Sequence, residues 1–456
     1  MLILQKKSKQ AIIQLFSYSI IQSSTMDPSS KKWLSAFEQE LQVLPLEKWQ
    51  EQCAYMFEKN IGIDDFIHFY IHNSGIFYGH SVKHFLYTNA DIQTWNNADN
   101  FKIAIVEGLV QVYYFSHKQQ IINKTSPEII HEALECIERF YLLFSITDSI
   151  FTKHRSLLHK KSERYQKLEA IIDHRVNNPS MLKKGFWKGS QFNVFAYLDL
   201  YFFYYWLQKE YIYEQKNEIK NTIVTAMIAA SYIDKQLTDN EQFLVSYFIA
   251  SGNFSAEHEN MLHTKLQTGC TLGDITYNPA LPYSTQLLVY EYATLTIISD
   301  KNFNLWQEQF LVQLAQHLHI KPFDAQHSIM LIQNFVLQNH NAILYLNVKN
   351  NFDALSKNFS SQIQSFFTKN KVKLANEIME SKELVELLWK AKDEKLTDEE
   401  RKKVKSQIID IAKTLPSLAI FMIPGGSILL PILYKILPEE LILPSSFQSN
   451  KVAPAP

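Results

Sequence analysis

The sequence predicts an all-α protein, a multi-helix bundle array that ends in an apolar helical segment broken by proline. The chain of 456 residues holds only 11 Gly and 14 Pro, too few for the turns that many short strands need. Its apolar residues recur at helical spacing over long stretches, and Thr-x-x-Glu capping boxes stand where two helices begin. Hydrophobic residues make up 46% and charged residues 20%, a globular composition that excludes a disordered chain.

Residues 1–25 read as an upstream extension or a poorly ordered start. Their apolar stretch is interrupted by Gln and Ser, and no small-residue cleavage site follows. Met26-Asp27-Pro28-Ser29 opens a cleaner start, so Met1 and Met26 both stand as initiators. An N-terminal helical domain is expected over 26–215. Trp33, Phe37, Leu41 and Leu44 set its first apolar stripe, and Ile129, Ile130, Leu134, Ile137, Phe140 and Tyr141 set a later one. Asn177-Asn178-Pro179-Ser180 reads as a loop. The stretch Phe192–Tyr213 is apolar nearly all round, which places a helix inside a domain or against lipid. Its tyrosines and Asp199 favour the buried position, with Asp199 expected to find a hydrogen-bond partner.

A second helical domain is expected over 216–345. It contains two related stretches, AMIAASYIDKQLTDNEQFLVSYFIASG and YATLTIISDKNFNLWQEQFLVQLAQHL. In each, a helix ends at an aspartate-bearing turn and another follows. The first turn runs from Asp234 to Glu241, with Thr238 and Glu241 as a capping box. The second runs from Asp300, with Asn304 as the cap, Gln307 at the matching position and Glu308 one later. This pair of turns resembles the tellurite-resistance B (TerB)-like fold, whose turns read Asp-Gly-x-apolar-Ser/Thr-x-x-Glu. Here Lys235 stands in place of the glycine. The resemblance implies Asp234, Glu241 and Asp300 as ligands of a divalent cation, with Glu308 a further candidate. Hard cations take several oxygens, and solvent-facing helix caps are the plainer reading of the same residues.

The region 346–456 is charged and helical at first, and Thr397-Asp398-Glu399-Glu400 opens a helix whose stripe is Val404, Ile408 and Ile411. An uncharged run from Thr414 to Tyr434 follows. At 1.5 Å per residue it reaches roughly the 30 Å of a bilayer core. Leu415, Pro424, Gly425, Gly426, Ser427, Pro431 and Tyr434 mark this segment. Its prolines and paired glycines weaken backbone hydrogen bonding, which lipid does not tolerate, so a broken or re-entrant helix is expected over a straight span. A hairpin packed inside soluble protein is the alternative. Arg401, Lys402, Lys403 and Lys405 put the upstream side in the cytoplasm if the segment inserts.

Leu429-Leu430-Pro431, Ile436-Leu437-Pro438 and Leu443-Pro444-Ser445-Ser446-Phe447 follow the basic helix in order. That arrangement resembles the LETM (leucine zipper–EF-hand transmembrane) signature, and it resembles the LETM-related, biofilm-associated proteins of bacteria. The resemblance implies a membrane-associated, non-enzymatic protein, with the bulk of the chain cytoplasmic at the inner membrane. Its implied role lies in the cell envelope or in potassium/proton or calcium/proton homeostasis, and its implied partners are lipid and the ribosome. Family members commonly carry a carboxylate where Ser427 stands, so the run holds no ionisable group to carry a cation. The ribosome-facing domain is expected beyond Phe447, and so to be missing from this sequence. A soluble helical adaptor with a protein partner is the reading from another class.

His68 and His72, and His80 and His84, are each four apart, so on helices either pair presents two imidazoles from one face. Asp64 and Asp65 are at hand to complete a site, although histidines in so aromatic a stretch also serve at the edge of a core. Glu132, Glu135 and Glu138 share a face without the Glu-x-x-His partner a di-iron bundle needs. No phosphate loop, nucleophile elbow or His-Glu-x-x-His occurs, so no catalytic residue and no organic cofactor is expected. Three distant cysteines form neither a disulfide framework nor a thiolate site. A net charge of -1 gives no general field for nucleic acid, so no direct nucleic-acid partner is expected.

Overall fold

The computed structural model describes residues 26–42, 62–84, 87, 93–117, 119–121, 124–145, 165–178, 193–235, 237–299, 305–343, 345–346, 378, 381–393, 397, 399, 400, 403, 404 and 407. Thirteen α-helices and no strand occur among them, which is the all-α fold the sequence predicts. The chain divides into two units. The first comprises Met1–Ile297, Leu305–Ile320 and Ile343–Val348, and the second Ile298–Asn304, Lys321–Ala342 and Lys349–Pro456.

In the first unit, α1 (Trp33–Gln42) buries Trp33, Phe37 and Leu41, the residues its periodicity marks; Leu44 lies outside the described residues. It packs on α4 (Ser126–Ser145), where Ile129, Ile130, Leu134, Ile137, Phe140 and Tyr141 are all buried. Between them in sequence come α2 (Ile63–Ser74) and α3 (Asn97–Ser116). Asn96 caps α3 by accepting the Asp99 N–H at 2.9 Å. Almost every residue of α3 is buried, because α2, α4, α5 (Gln166–Val176) and α6 (Leu198–Leu207) pack around it. Gly108 is what lets them close in, since a Cβ there would meet Leu200 of α6 and Tyr70 of α2.

The apolar stretch expected to be buried is α6, entered through a 3-10 turn at Val194–Tyr197. Asp199 within it is fully buried and is held by Arg175 of α5 and Tyr141 of α4. Among the described residues no helix is long and apolar enough to cross a membrane.

The two related stretches each give a helix pair: α7 (Lys216–Ser231) and α8 (Asp239–Ser251), then α10 (Tyr283–Ser299) and α11 (Leu305–His317), with α9 (Ala256–Thr268) between. The Thr238 capping box forms as read: Thr238 N–H and Oγ1–H reach Glu241 Oε2 at 2.9 and 2.8 Å, and Thr238 Oγ1 accepts the Glu241 N–H. Lys235, in the glycine position of the turn pattern, has φ +62°. A glycine adopts that left-handed conformation without strain.

In the second unit, α12 (Pro322–Asn339) starts with proline at its first position, and α13 (Lys382–Asp393) follows. Helical residues 399, 400, 403, 404 and 407 run antiparallel to α13. Lys390 pairs with Glu400 at 2.7 Å, Lys403 with Glu383 at 3.1 Å, and the Gln407 amide donates to Glu383 at 2.7 Å. Leu384, Leu388 and Val404 are buried on this hairpin. The capping box at Thr397 also forms, with the Thr397 N–H on Glu400 Oε2 at 2.9 Å.

Candidate functional site

Helix α2 begins where the Gly62 N–H meets the Asp65 carboxylate and ends at Gly75, whose φ is +85°. Asp64, His68 and His72 are four residues apart and so form one stripe along it. Beyond Gly75 the chain folds back through a 3-10 turn, Ile76–Tyr78, closed by Gly79 at φ +64°. This reversal returns the Tyr78 hydroxyl to His72 Nδ1 at 2.9 Å and lays the Phe77 ring 4.3 Å from the imidazole, centroid to centroid.

The stripe meets α10 at Glu291. His68 Nε2 lies 2.6 Å from Glu291 Oε1 and His72 Nε2 lies 3.1 Å from Oε2. The ligating atoms of the three side chains all fall within 4.8 Å of one another. The Glu291 side chain is 0% exposed, that of His72 1% and that of His68 15%, so the cluster is buried with one imidazole at its edge. Burial alone would raise the Glu291 carboxyl, but the two imidazoles and their hydrogen bonds hold it well below the usual carboxylate range. Burial pushes His72 down against the pull of Glu291, and burial with the nearby carboxylate pushes the Tyr78 phenol well up. Tyr78 therefore stays protonated and donates to His72 Nδ1, which leaves His72 Nε2–H to donate to Glu291.

Two buried polar atoms on α2 and α6, helices that pack on each other, lack partners. Asp64 Oδ1 has none, while its Oδ2 accepts the Tyr205 hydroxyl at 2.6 Å. The Tyr201 hydroxyl also has none. Asp64 feels the charge of His68, and Tyr201 feels those of Asp64 and Glu291.

The other histidine pair does not form the expected face. Gly75 and Gly79 end the helical segment, and residues 80–84 are irregular, so the four-residue spacing of His80 and His84 no longer aligns them. His84 instead packs inside, with Nδ1 3.3 Å from Glu107 and Nε2 3.1 Å from Asn100, and Tyr70 shares Glu107. Asp65 serves as the cap of α2 and Asp64 bonds Tyr205; the acid that meets His68 and His72 is Glu291. Glu132 goes to Tyr113 and Lys124, and Glu135 to His131.

Of the residues the turn resemblance marks, Asp234 and Glu308 are exposed and Glu241 is buried in its capping box. Asp300 lies outside the described residues. So do Leu415, Pro424, Gly425, Gly426, Ser427, Pro431 and Tyr434.

Sequence reasoning missed Glu291 and Glu107. The signal was present: each is a lone carboxylate in an otherwise apolar helical run, YSTQLLVYEYATLTIIS and IAIVEGLVQVYYF. The same signal pointed correctly to a partner for Asp199.

The molecule is thus an all-α protein with charged pairs sealed in its first unit and a C-terminal helical hairpin in its second. Residues 396–454 match the family model described as LETM1-like, RBD, a ribosome-binding domain, and this region is LETM-related. The match begins at the helix that Thr397 caps, and it covers the signature itself. No curated protein and no solved structure matches the chain.

Proposed function

We propose that this is a non-enzymatic, membrane-associated protein that binds the ribosome through residues 396–454. The observation that carries this reading is the match of that segment to the LETM1-like ribosome-binding family. Helical residues 399, 400, 403, 404 and 407 of the matched segment pair with α13 through Lys390–Glu400 and Lys403–Glu383. Lys403 is 62% exposed, and the sequence sets Arg401, Lys402 and Lys405 around it. Such a basic turn suits a polyanionic surface and weakens with salt. The apolar run from Thr414 to Tyr434 is the part proposed to touch the inner membrane, the bulk of the chain remaining cytoplasmic. A tie to the cell envelope, to biofilm or to cation homeostasis follows from kinship of the signature, and no cofactor is required for any of these roles.

Cosedimentation of the full chain with purified ribosomes tests the reading. Binding in low salt that is lost on substituting Arg401, Lys402 and Lys403 by Glu is the expected result. A full chain that stays in the supernatant at low salt overturns it. Alkaline-carbonate washing of membranes, with a chain truncated before Thr414 alongside, tests the membrane contact separately.

A soluble adaptor is the second reading. It is favoured by α11, where Leu305 and Trp306 are exposed at 74% and 69%, as a surface for a protein partner would be. Release of the full chain by carbonate, together with no ribosome binding, would favour it.

A further inference from the structure

We propose that His68, His72 and Glu291 form a binding site for a divalent first-row transition-metal ion of the zinc class. Nε2 of each histidine and the Glu291 carboxylate are its protein ligands. Two imidazoles and one carboxylate are a donor set zinc accepts. Calcium and magnesium are disfavoured because they take mainly oxygen ligands. The two rings come from one helical turn of α2 and the carboxylate from α10, and all three ligating atoms already lie within 4.8 Å of one another. Little rearrangement is needed to bring them onto one ion.

The surroundings fit the same purpose. Tyr78 fixes His72 from the far side of the ring at 2.9 Å, as the outer partners of metal-bound histidines do. Holding the ion at Nε2 would require the other neutral tautomer of His72, in which the ring proton has moved from Nε2 to Nδ1 and none is lost. That N–H then donates to the Tyr78 oxygen, which a phenol accepts as readily as it donates. Asp64, one turn before His68 on α2, has a buried Oδ1 without a partner, and so does the Tyr201 hydroxyl on α6, which packs against α2; these are an acceptor and a donor open to a metal-bound water. His68, at 15% exposure, is the way in. With Glu291 and His72 sealed, the ion would act as a staple between α2 and α10.

The test uses the full chain, stripped with chelator and titrated with Zn2+ alone by calorimetry, then with Co2+ by visible absorption. About one Zn2+ per chain is expected, with Co2+ giving the bands of a four- or five-coordinate nitrogen–oxygen site. Glu291→Gln and His68→Gln should each weaken binding by more than about tenfold, and Tyr78→Phe by about 10- to 100-fold. Far-UV circular dichroism confirms that each variant is folded. No stoichiometric binding by the wild-type chain overturns the proposal. So does unchanged affinity in folded His68→Gln, which would place the ion on surface histidines. If the variants unfold, the cobalt spectrum of the wild-type chain decides, and its lack of visible bands overturns the site.

Discussion

Arg175 and Asp199, 24 residues apart, form a two-pronged ion pair inside the first unit, with Arg175 Nε donating to Asp199 Oδ2 at 2.9 Å and a second guanidinium nitrogen on Oδ1. The Tyr141 hydroxyl donates to the same Oδ2 at 3.0 Å. A carboxylate with no solvent contact loses its hydration on folding, and these bonds are what offset that loss. Asp199→Ala removes the acceptor and leaves the guanidinium uncompensated. Stability should fall by about 3–5 kcal/mol, read as a lower urea midpoint, and Asp199→Asn should lose less. A wild-type midpoint in Asp199→Ala would show that the pair contributes nothing.

Gly75 sets the reversal that returns Tyr78 to His72. At φ +85° a side chain is strained, and a Cβ there would run into the carbonyl oxygen of His80. Gly75→Ala should cost about 1–2 kcal/mol from the left-handed backbone alone, with more from the collision. The expected readout is a lowered thermal midpoint, and a midpoint equal to wild type would count against the strain argument.

His80 carries a pH dependence. Burial lowers its folded value below 6.5, so at acidic pH the unfolded chain binds the proton more readily than the folded one. Its contribution to stability is complete above that value and is lost as pH falls below it. Denaturation at pH 7.5 and 5.5 should show a loss on acidification that is smaller in His80→Gln. His72 shares the sign, so only part of the slope should vanish. An equal slope in the variant would refute the assignment.

At Lys235 the expected change is a gain. Replacing a non-glycine residue at φ +62° with glycine removes a penalty of about 1–2 kcal/mol. The greater freedom of glycine in the unfolded chain returns roughly half to one of these. Lys235→Gly should therefore stabilise by up to about 1 kcal/mol, and Lys235→Ala should not. Equal effects of the two substitutions would point to the lost lysine charge instead.

Local rules made much of this protein legible. The capping boxes at Thr238 and Thr397 need only a hydroxyl and a carboxylate three residues apart, and both form. Asp199 betrays itself as a lone charge among aromatics. The histidine cluster was half legible: the spacing of His68 and His72 shows a shared face, but Glu291 stands 219 residues from His72, a separation that periodicity cannot bridge. His80 and His84 mislead for a local reason, because glycines at left-handed φ ended the helix on which their spacing depends.

The distance along the chain between α2 and Glu291 also sets an order of events during synthesis. At about 5–20 residues per second, Glu291 is made roughly ten to forty seconds after His72, and Tyr345, which donates to the Tyr78 carbonyl at 2.8 Å across 267 residues, comes later still. Throughout that interval the nascent N-terminal portion holds an aromatic, histidine-bearing face whose counterpart does not yet exist. The first unit is therefore a natural client for whatever shields emerging chains, and any translation product that stops short of α10 is left with that face uncovered.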